Sequence, residues 1–297
     1  MRITEKLDLA IKLNEEGRTD GGYAISYNGK KILKPTYMTN DEWNNFLNNM
    51  SDDARKEFES GDGGELTEKN GRPPKMASYG SSSRLIYNLS YRKEGFHFEK
   101  KLPTTIGGKA NLDGFYEDYN RYIFVEAKCH EPYTSKRNVV SIAYKDLYEY
   151  INKRMIGIIN IEMNPSTCGR YLNVDYYAEG ERLIHFDMKQ MICHLLGIAT
   201  GILKGKLKPK QMDFLYLLFD PTELKIENQA KTVINEIYER TCYECNLIDF
   251  VELFRVILDY LRMEKYINII SDYEVDAIVM MFTFTLASQE FYPILLS

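Results

Sequence analysis

The segment YIFVEAKCHE, at positions 122–131, constrains the fold of this chain more than any other stretch. Side chains alternate between the two sides of a strand, which gives one side Ile123, Val125 and Ala127 and the other Phe124, Glu126 and Lys128. Both sides are apolar as far as Glu126, a pattern typical of a central strand covered on both faces. A carboxylate and an ammonium group at the end of such a strand are costly to bury unless they are paired or bound to a metal. We therefore expect a functional site at this strand end.

The surrounding segments predict an α/β fold, because strand patterns come both before and after a predicted helix along the chain. FHFEKKL and ANLDGFYED precede the apolar strand, and Tyr119-Asn120 is a suitable hairpin turn. A helix is expected from about Asp187, as N-cap, to Leu203, followed by the buried strand DFLYLLF. The chain from Glu223 onward is predicted to be mostly helical, with the apolar stretch 277–287 as a buried helix.

This order favours a mixed central sheet flanked by helices, with helical N- and C-terminal additions. We expect a mostly helical segment over residues 1–60, a core over 61–220, and a helical region packed on that core over 221–297.

Charge and cysteine content narrow the class of protein. The formal net charge of −5 argues against a chain coated in basic residues, although basic side chains can still cluster locally. The five cysteines form no dense framework, and the N-terminus lacks the apolar region of a signal peptide. No stretch has the roughly 20 apolar residues that a membrane span needs. We expect a soluble, cytoplasmic protein without a membrane partner.

Asp113 supplies a second carboxylate for the predicted site. It lies 13 positions before Glu126, so a hairpin would bring the two together. Asn111, Asp113 and Phe115 are expected to share a face of their strand. Two carboxylates and Lys128 suit a hard cation such as Mg²⁺, and such a site can hydrolyse phosphodiester bonds. The alternative is an ordinary surface hairpin with a Glu–Lys pair.

The predicted helix after the strands offers further polar groups. Gln190, His194, Gly197 and Gly201 follow helical spacing and form one narrow polar or small stripe. Gln190 and His194, one turn apart, could orient a water or contact a substrate phosphate. Equally, the stripe could serve close helix packing, with His194 merely hydrogen-bonded.

At Asp113, Glu126 and Lys128 the sequence resembles the PD-(D/E)XK nuclease superfamily, which has an acidic residue on one strand and acidic-x-Lys on the next. Leu112 departs from the proline of that name. EAKCHE, which ends at Glu131, is similar to a Glu-Ser-Lys-x-x-Glu form in a bacterial restriction-endonuclease-like branch. GGEL, with Glu65, and PPKMASYGSSS, with Ser82 and Ser83, also resemble that branch, as does FDMKQMICHLLGIA.

The resemblance implies a restriction-endonuclease-like core and a Mg²⁺-dependent deoxyribonuclease, with Mn²⁺ as a substitute and a role in restriction or other defence. In this reading Glu65 comes from an N-terminal helix. The catalytic residues would be Asp113, Glu126, Lys128, Gln190 and Glu65, with Asp113, Glu126 and Glu65 as metal ligands. The substrate-binding residues would be Ser82, Ser83, Glu131 and His194. Cleavage of both DNA strands would favour a homodimer.

Two other classes of function stay open at this point. One is a nucleic-acid-binding or assembly module with this fold that does not cut, and the other is an unrelated α/β protein whose hairpin imitates the motif. Among weaker signals, Cys242 and Cys245 are expected one turn apart on a helix rather than at a metal. The lysines at 204, 206, 208 and 210, and Lys136 with Arg137, are either solvated or close enough to the site to contact a nucleic-acid backbone.

Overall fold

The computed structural model describes residues 2–16, 22–25, 31–34, 36–61, 64–69, 73–134, 138–163, 169–226, 228–263 and 271–289. The helices of these ranges, apart from single 3₁₀ turns, are α1 (Ile3–Glu16), α2 (Asn40–Asn49), α3 (Asp52–Ser60), α4 (Ser82–Ser90), α5 (Lys145–Arg154), α6 (Met188–Leu203), α7 (Asn228–Asn246), α8 (Phe250–Met263) and α9 (Asp272–Met280). The strands are β1 (Gly22–Ile25), β2 (Lys31–Lys34), β3 (Phe96–Pro103), β4 (Lys109–Glu117), β5 (Arg121–Lys128), β6 (Val139–Ser141), β7 (Ile159–Met163), β8 (Tyr171–Ala178), β9 (Glu181–Arg182), β10 (Gln211–Leu218) and β11 (Phe282–Ser288).

A mixed five-stranded sheet in the order β11-β10-β5-β4-β3 forms the centre of the fold. β3, β4 and β5 are antiparallel neighbours, and β4 and β5 are joined at the predicted turn around Tyr119-Asn120. β10 runs parallel to β5 and β11 runs parallel to β10. The predicted α/β class, with a mixed central sheet flanked by helices, is confirmed.

β5 is covered on both faces, as its apolar pattern predicts. Tyr122 and Phe124 pack into a cluster with side chains of α6 and α8. The alternate residues Ile123, Val125 and Ala127 pack into a second cluster, with side chains of α3 and α4. The sheet is therefore a middle layer between two helical layers, and a polar group on β5 is either buried or at the strand's end.

α6 begins and ends where the sequence predicts. The side chain of Asp187 accepts a hydrogen bond from the Gln190 amide and caps the helix. Gly197 is required by packing, because a Cβ there would lie 2.7 Å from the Cβ of Ala110 on β4. The same Cβ would lie 3.1 Å from the Cβ of Leu102 on β3, so this close approach seats α6 against the paired strands β3 and β4.

A smaller antiparallel sheet has the order β6-β8-β7, with β9 beside β8. Together with α5 it packs against the helical layer that contains α6 and α8. β8 has the half-buried alternation typical of an antiparallel strand, with Leu172, Val174 and Tyr176 inward.

The C-terminal region departs from prediction in one element. The expected buried helix over 277–287 is wrong, because α9 ends at Met280 and the next residues form β11. The segment FTFTLAS is rich in aromatic and β-branched residues, and β10 leaves an open edge on which it pairs. A strand of the central sheet thus comes from the region predicted to be helical, while α7, α8 and α9 confirm its helical character elsewhere.

The N-terminal helix α1 packs beside the end of β5. Leu7 and Ile11 share a cluster with Ile234 of α7 and with Cys129, the residue after β5. This places the first turns of α1 next to the predicted site. In the described ranges, no helix is both long and apolar enough to cross a membrane.

Candidate active site

A cleft opens where β4 and β5 diverge. The two strands pair only between Gly114–Glu117 and Tyr122–Val125. Beyond this point β4 continues beside β3 alone, while β5 continues beside β10 alone. The fork between them opens into a cleft of 1240 Å³ whose walls include α1, the segment around Glu65 and the start of α4.

Asp113, Glu126 and Lys128 meet at this fork. The Oδ2 atom of Asp113 accepts a hydrogen bond of 2.8 Å from the Ala127 amide, so its carboxylate reaches across to β5. The Nζ of Lys128 donates to Glu126 Oε1 at 2.5 Å and to Gln190 Oε1 at 2.7 Å. Glu126 is only 2% exposed and Lys128 5%. The predicted juxtaposition is present, and Gln190 of α6 joins it.

The faces of β4 differ from the predicted alternation. Asn111 and Asp113 line the cleft, but Phe115 packs with Leu112 in the first cluster. A strand that kept its period of two would place Leu112 and Phe115 on opposite sides. The expectation that Phe115 shares a face with Asp113 is therefore wrong, because β4 changes face between residues 112 and 115.

Charges within the cleft shift the acidity of its groups. Burial raises the pKa of Asp113 well above its ordinary value, and the nearby Glu126 carboxylate raises it further. Burial also acts to raise the pKa of Glu126, but Lys128 and His194 outweigh it and hold that pKa below the usual range. Burial opposes the charge on Lys128, yet Glu126 and Glu131 hold the pKa of the lysine well above normal. Glu126 and Lys128 therefore form a charged pair near neutral pH.

Glu131 and Ser82 form a hydrogen-bonded group behind Lys128. The Oε1 of Glu131 accepts from the Ser82 hydroxyl at 2.5 Å, and its Oε2 accepts from the Cys129 amide at 2.9 Å. Both side chains line the cleft. Their contact with substrate stays a prediction. In the structure both side chains accept hydrogen bonds from the Cys129 amide, and they thereby fix the backbone just after β5.

Glu65 and Ser83 form a similar group beside the first one, since Ser82 and Ser83 are consecutive residues at the start of α4. The Glu65 carboxylate accepts from Lys75 Nζ at 2.7 Å and from the Ser83 hydroxyl at 2.9 Å. The expectation that Glu65 comes from an N-terminal helix is wrong, because it lies in a bend between α3 and the 3₁₀ turn Lys75–Ala77. The chain there is shaped by backbone bonds from Lys75 and Met76 to the carbonyls of residues 64 and 65, so the carboxylate reaches the cleft from a loop.

His194 lies beneath the site rather than in the cleft. It is 1% exposed, and its Nε2 is 2.9 Å from Glu126 Oε2, at ion-pair distance. Of the two polar residues predicted on α6, the cleft is lined by Gln190 and not by His194. The predicted stripe on α6 thus faces the sheet, where Gln190 reaches Lys128, His194 reaches Glu126 and Gly197 allows close packing.

Glu99 is a cleft carboxylate that the sequence did not single out. It occupies β3 at the position across from Asp113, and it lines the cleft. Burial and the Glu65 carboxylate raise the pKa of Glu99 to about 7. Glu99 faces Asp113 because β3 and β4 are joined by the five-residue loop 104–108, which pairs Pro103 with Lys109. A two-residue turn at Gly107-Gly108 would give a different register, so the glycine pair alone does not reveal this position.

The donor atoms suit a hard cation. Within the described ranges no three His, Cys, Asp or Glu side chains stand ready as an assembled metal group. Asp113 and Glu126 nevertheless present carboxylate oxygens, which Mg²⁺ and Mn²⁺ accept. Glu126 Oε2 is buried and has no hydrogen bond of acceptable geometry in the part of the chain that is described. A cation beside this oxygen would satisfy it.

The predicted lysine loop is at the wrong end of the sheet to serve this site. Lys210 immediately precedes β10, which is parallel to β5, so it lies near Arg121 rather than Lys128. Seven strand residues separate these ends, or roughly 23 Å. Lys210 is also held by Glu117 at 2.9 Å. Lys136 and Arg137 lie outside the described residues.

Cys242 and Cys245 lie one turn apart on α7, as expected, and neither forms a disulfide.

Comparison of the chain with protein-family models, curated proteins and solved structures gives no match.

Proposed function

We propose that this chain is a metal-dependent nuclease with a restriction-endonuclease-like core, acting on phosphodiester bonds in DNA. The observation that carries the proposal is the junction at the fork, where Asp113 reaches β5 and Lys128 bridges Glu126 and Gln190. The choice of DNA, and a cytoplasmic role in restriction or other defence, rest on the resemblance to the PD-(D/E)XK superfamily.

Asp113 and Glu126 would hold Mg²⁺ or Mn²⁺, and Glu65 is the proposed further ligand, from the loop that precedes α4. The bound ion would offset charge that develops on the phosphate and would lower the pKa of an attacking water. Glu65 would have to share its carboxylate between the ion and its present partners, Lys75 and Ser83.

The charge of the cleft supports a cation requirement. Seven carboxylate residues line it, namely Glu5, Asp8, Glu65, Glu99, Asp113, Glu126 and Glu131. Four lysine or arginine residues line it, namely Arg2, Lys69, Lys75 and Lys128. A phosphodiester anion entering such a cleft is repelled unless a cation offsets the excess of carboxylates.

Lys128 would act as a hydrogen-bond donor rather than as a base. Its pKa is held well above normal, so the ammonium keeps its proton. Glu126 and Gln190 fix its position from two directions, which leaves it able to orient a water or a phosphate oxygen at the fork. Gln190 would act mainly through Lys128, and His194 through Glu126.

A cleavage assay tests the proposal. Supercoiled plasmid DNA is incubated with the protein and Mg²⁺ or Mn²⁺, with and without chelator, and a single-stranded RNA is treated in parallel. We expect cleavage of DNA that is lost on chelation and in Lys128→Ala and Asp113→Asn. Lys189→Ala, an exposed lysine on α6 beside Gln190, is the matched control and should cut like the wild type.

Circular dichroism on each variant separates loss of activity from loss of fold. Equal nicking by the wild type and Lys128→Ala would contradict the proposal and identify a contaminant. A folded protein that binds DNA but never cuts it would favour the non-cutting binding module. Cleavage confined to RNA would support metal-dependent phosphodiester hydrolysis but would reject DNA as the substrate. If both DNA strands are cut, gel filtration or light scattering tests the homodimer.

A further inference from the structure

Glu99 has a backbone conformation that is unusual for its residue type. Its φ angle is 53°, in the left-handed region that disfavours residues with a side chain. The ladder between β3 and β4 pairs Phe98 with Gly114 and Lys100 with Leu112, but skips the position between them, where Glu99 faces Asp113. The two cleft carboxylates on these strands thus occupy one shared interruption of an otherwise regular ladder.

Both strands change face at this interruption. On β3, Phe98 packs in the second cluster, whereas Leu102, an even number of residues later, packs in the first. On β4 the same change separates Leu112 from Phe115. An uninterrupted pair of strands would keep one alternation throughout. The distortion therefore determines which way the side chains at positions 99 and 113 point.

The Glu99 carboxylate has no local use that would explain this conformation. Among the described residues, no hydrogen-bond donor contacts it and no cation lies within ion-pair distance. The other carboxylates around the fork each accept at least one hydrogen bond, namely those of Glu65, Asp113, Glu126 and Glu131. Glu99 thus lines the cleft as a carboxylate on which the charges of Lys75 and Lys101 act from a distance, without a direct contact.

A separate observation points to a cation. Glu126 is 2% exposed, and its Oε2 atom, 2.9 Å from His194 Nε2, has no hydrogen bond of acceptable geometry within the described part of the chain. Around the fork, the carboxylates of Glu65, Glu99, Asp113, Glu126 and Glu131 line the cleft with the ammonium groups of Lys75 and Lys128, and the His194 imidazole lies against Glu126 from beneath. The carboxylates outnumber the ammonium groups when all are ionised, and a divalent cation would offset that excess of negative charge.

We propose that Glu99 is a metal-binding residue of this site, sharing with Asp113 the divalent cation that the nuclease reaction needs. This inference rests on the proposed function and adds a ligand from β3, a strand outside the Asp…Glu-x-Lys pattern. The left-handed conformation would then serve to aim the Glu99 side chain at the cation beside Asp113.

Mn²⁺ binding measures this directly, without cleavage. Titration of the chelator-treated protein is followed by electron paramagnetic resonance, which reports free Mn²⁺, and by calorimetry. We expect Glu99→Gln and Glu99→Gly each to weaken Mn²⁺ binding at least about tenfold, as removal of a ligand charge does. Glycine accepts a φ of 53° without strain, so the second variant keeps the backbone while removing the carboxylate.

Glu94→Gln, at an exposed position just before β3, is the matched control and should bind Mn²⁺ like the wild type. Asp113→Asn separates the two proposals. If Asp113→Asn abolishes binding and both folded Glu99 variants retain wild-type affinity, the Glu99 inference is overturned while the metal site stands. If the wild type binds no Mn²⁺, the metal-dependent function and the Glu99 inference fail together.

Discussion

Replacing Lys128 with methionine tests how the fork tolerates its buried charges. Methionine has a similar length and apolar character, so Lys128→Met removes the ammonium group with little change in packing. The carboxylate of Glu126 would remain 2% exposed after losing a partner only 2.5 Å away. Gln190 Oε1 would also lose its donor. Removing one member of a buried ion pair usually costs about 3–5 kcal/mol, since the other charge is left without compensation.

We therefore expect Lys128→Met to lower the free energy of unfolding by about 3 kcal/mol or more in metal-free protein. The value is measured by urea denaturation at neutral pH in the presence of chelator. The double variant Glu126→Gln/Lys128→Met removes both charges, and it should be clearly more stable than Lys128→Met alone. Lys189→Met, on the exposed side of α6, should change stability by no more than about 0.5 kcal/mol.

A loss below about 1 kcal/mol for Lys128→Met would refute this reasoning, because that is the range of exposed ion pairs. A double variant less stable than Lys128→Met would also contradict it. This stability test is independent of catalysis, and it shows whether loss of cleavage in a Lys128 variant needs correction for unfolded protein.

Three further predictions concern Glu99, Gly197 and Glu244. The folded-state pKa of Glu99, about 7, exceeds its ordinary value of 4.5, so this group favours the folded state below pH 4.5 and loses that contribution as the pH rises through 7. Glu99→Gln should therefore gain roughly 1–3 kcal/mol relative to the wild type between pH 5 and pH 8, after allowance for solvent screening, and parallel stability–pH curves would contradict this. Gly197→Ala should lower the free energy of unfolding, measured by urea denaturation, by about 1–3 kcal/mol, because the new Cβ would lie 2.7 Å from that of Ala110. This loss is expected despite the better helix propensity of alanine. A more stable variant would show that α6 can move off the sheet. Glu244 is fully buried, and its carboxylate accepts hydrogen bonds from the backbone amides of residues 184, 185 and 186. Glu244→Gln should therefore lower the free energy of unfolding by about 1.5–3 kcal/mol, measured by thermal or urea denaturation. A loss near zero would mean that these amides find other acceptors.

Local pattern was sufficient to predict the centre of this fold. The apolar run that ends at Glu126 implies a strand covered on both faces, and β5 has that environment because no other arrangement hides side chains on both its sides. The N-cap at Asp187 and the apolar periodicity after it predict α6 within a residue. The meeting of Asp113 with Glu126 also follows from sequence, because a short turn leaves an antiparallel hairpin few registers.

Other elements depended on partners that lie far away in the chain. The residues of β11 are compatible with helix or strand, and the open edge of β10, about 70 positions earlier, decides between them. Glu65 reaches the cleft because a loop folds against the start of α4, which no local periodicity records. The placement of the lysine loop likewise follows from the direction of β10 relative to β5.

The sequence by itself therefore determined a two-sided central strand ending in a carboxylate and a lysine, with a second carboxylate on the neighbouring strand. Only the tertiary structure decided that the strands fork at this point, that Gln190 holds Lys128, and that Glu99 faces Asp113. The physical reason is the range of the interactions involved. Side-chain alternation, capping and tight turns act over a few residues, whereas a break in a ladder depends on hydrogen bonds and packing between strands and helices distant in the chain.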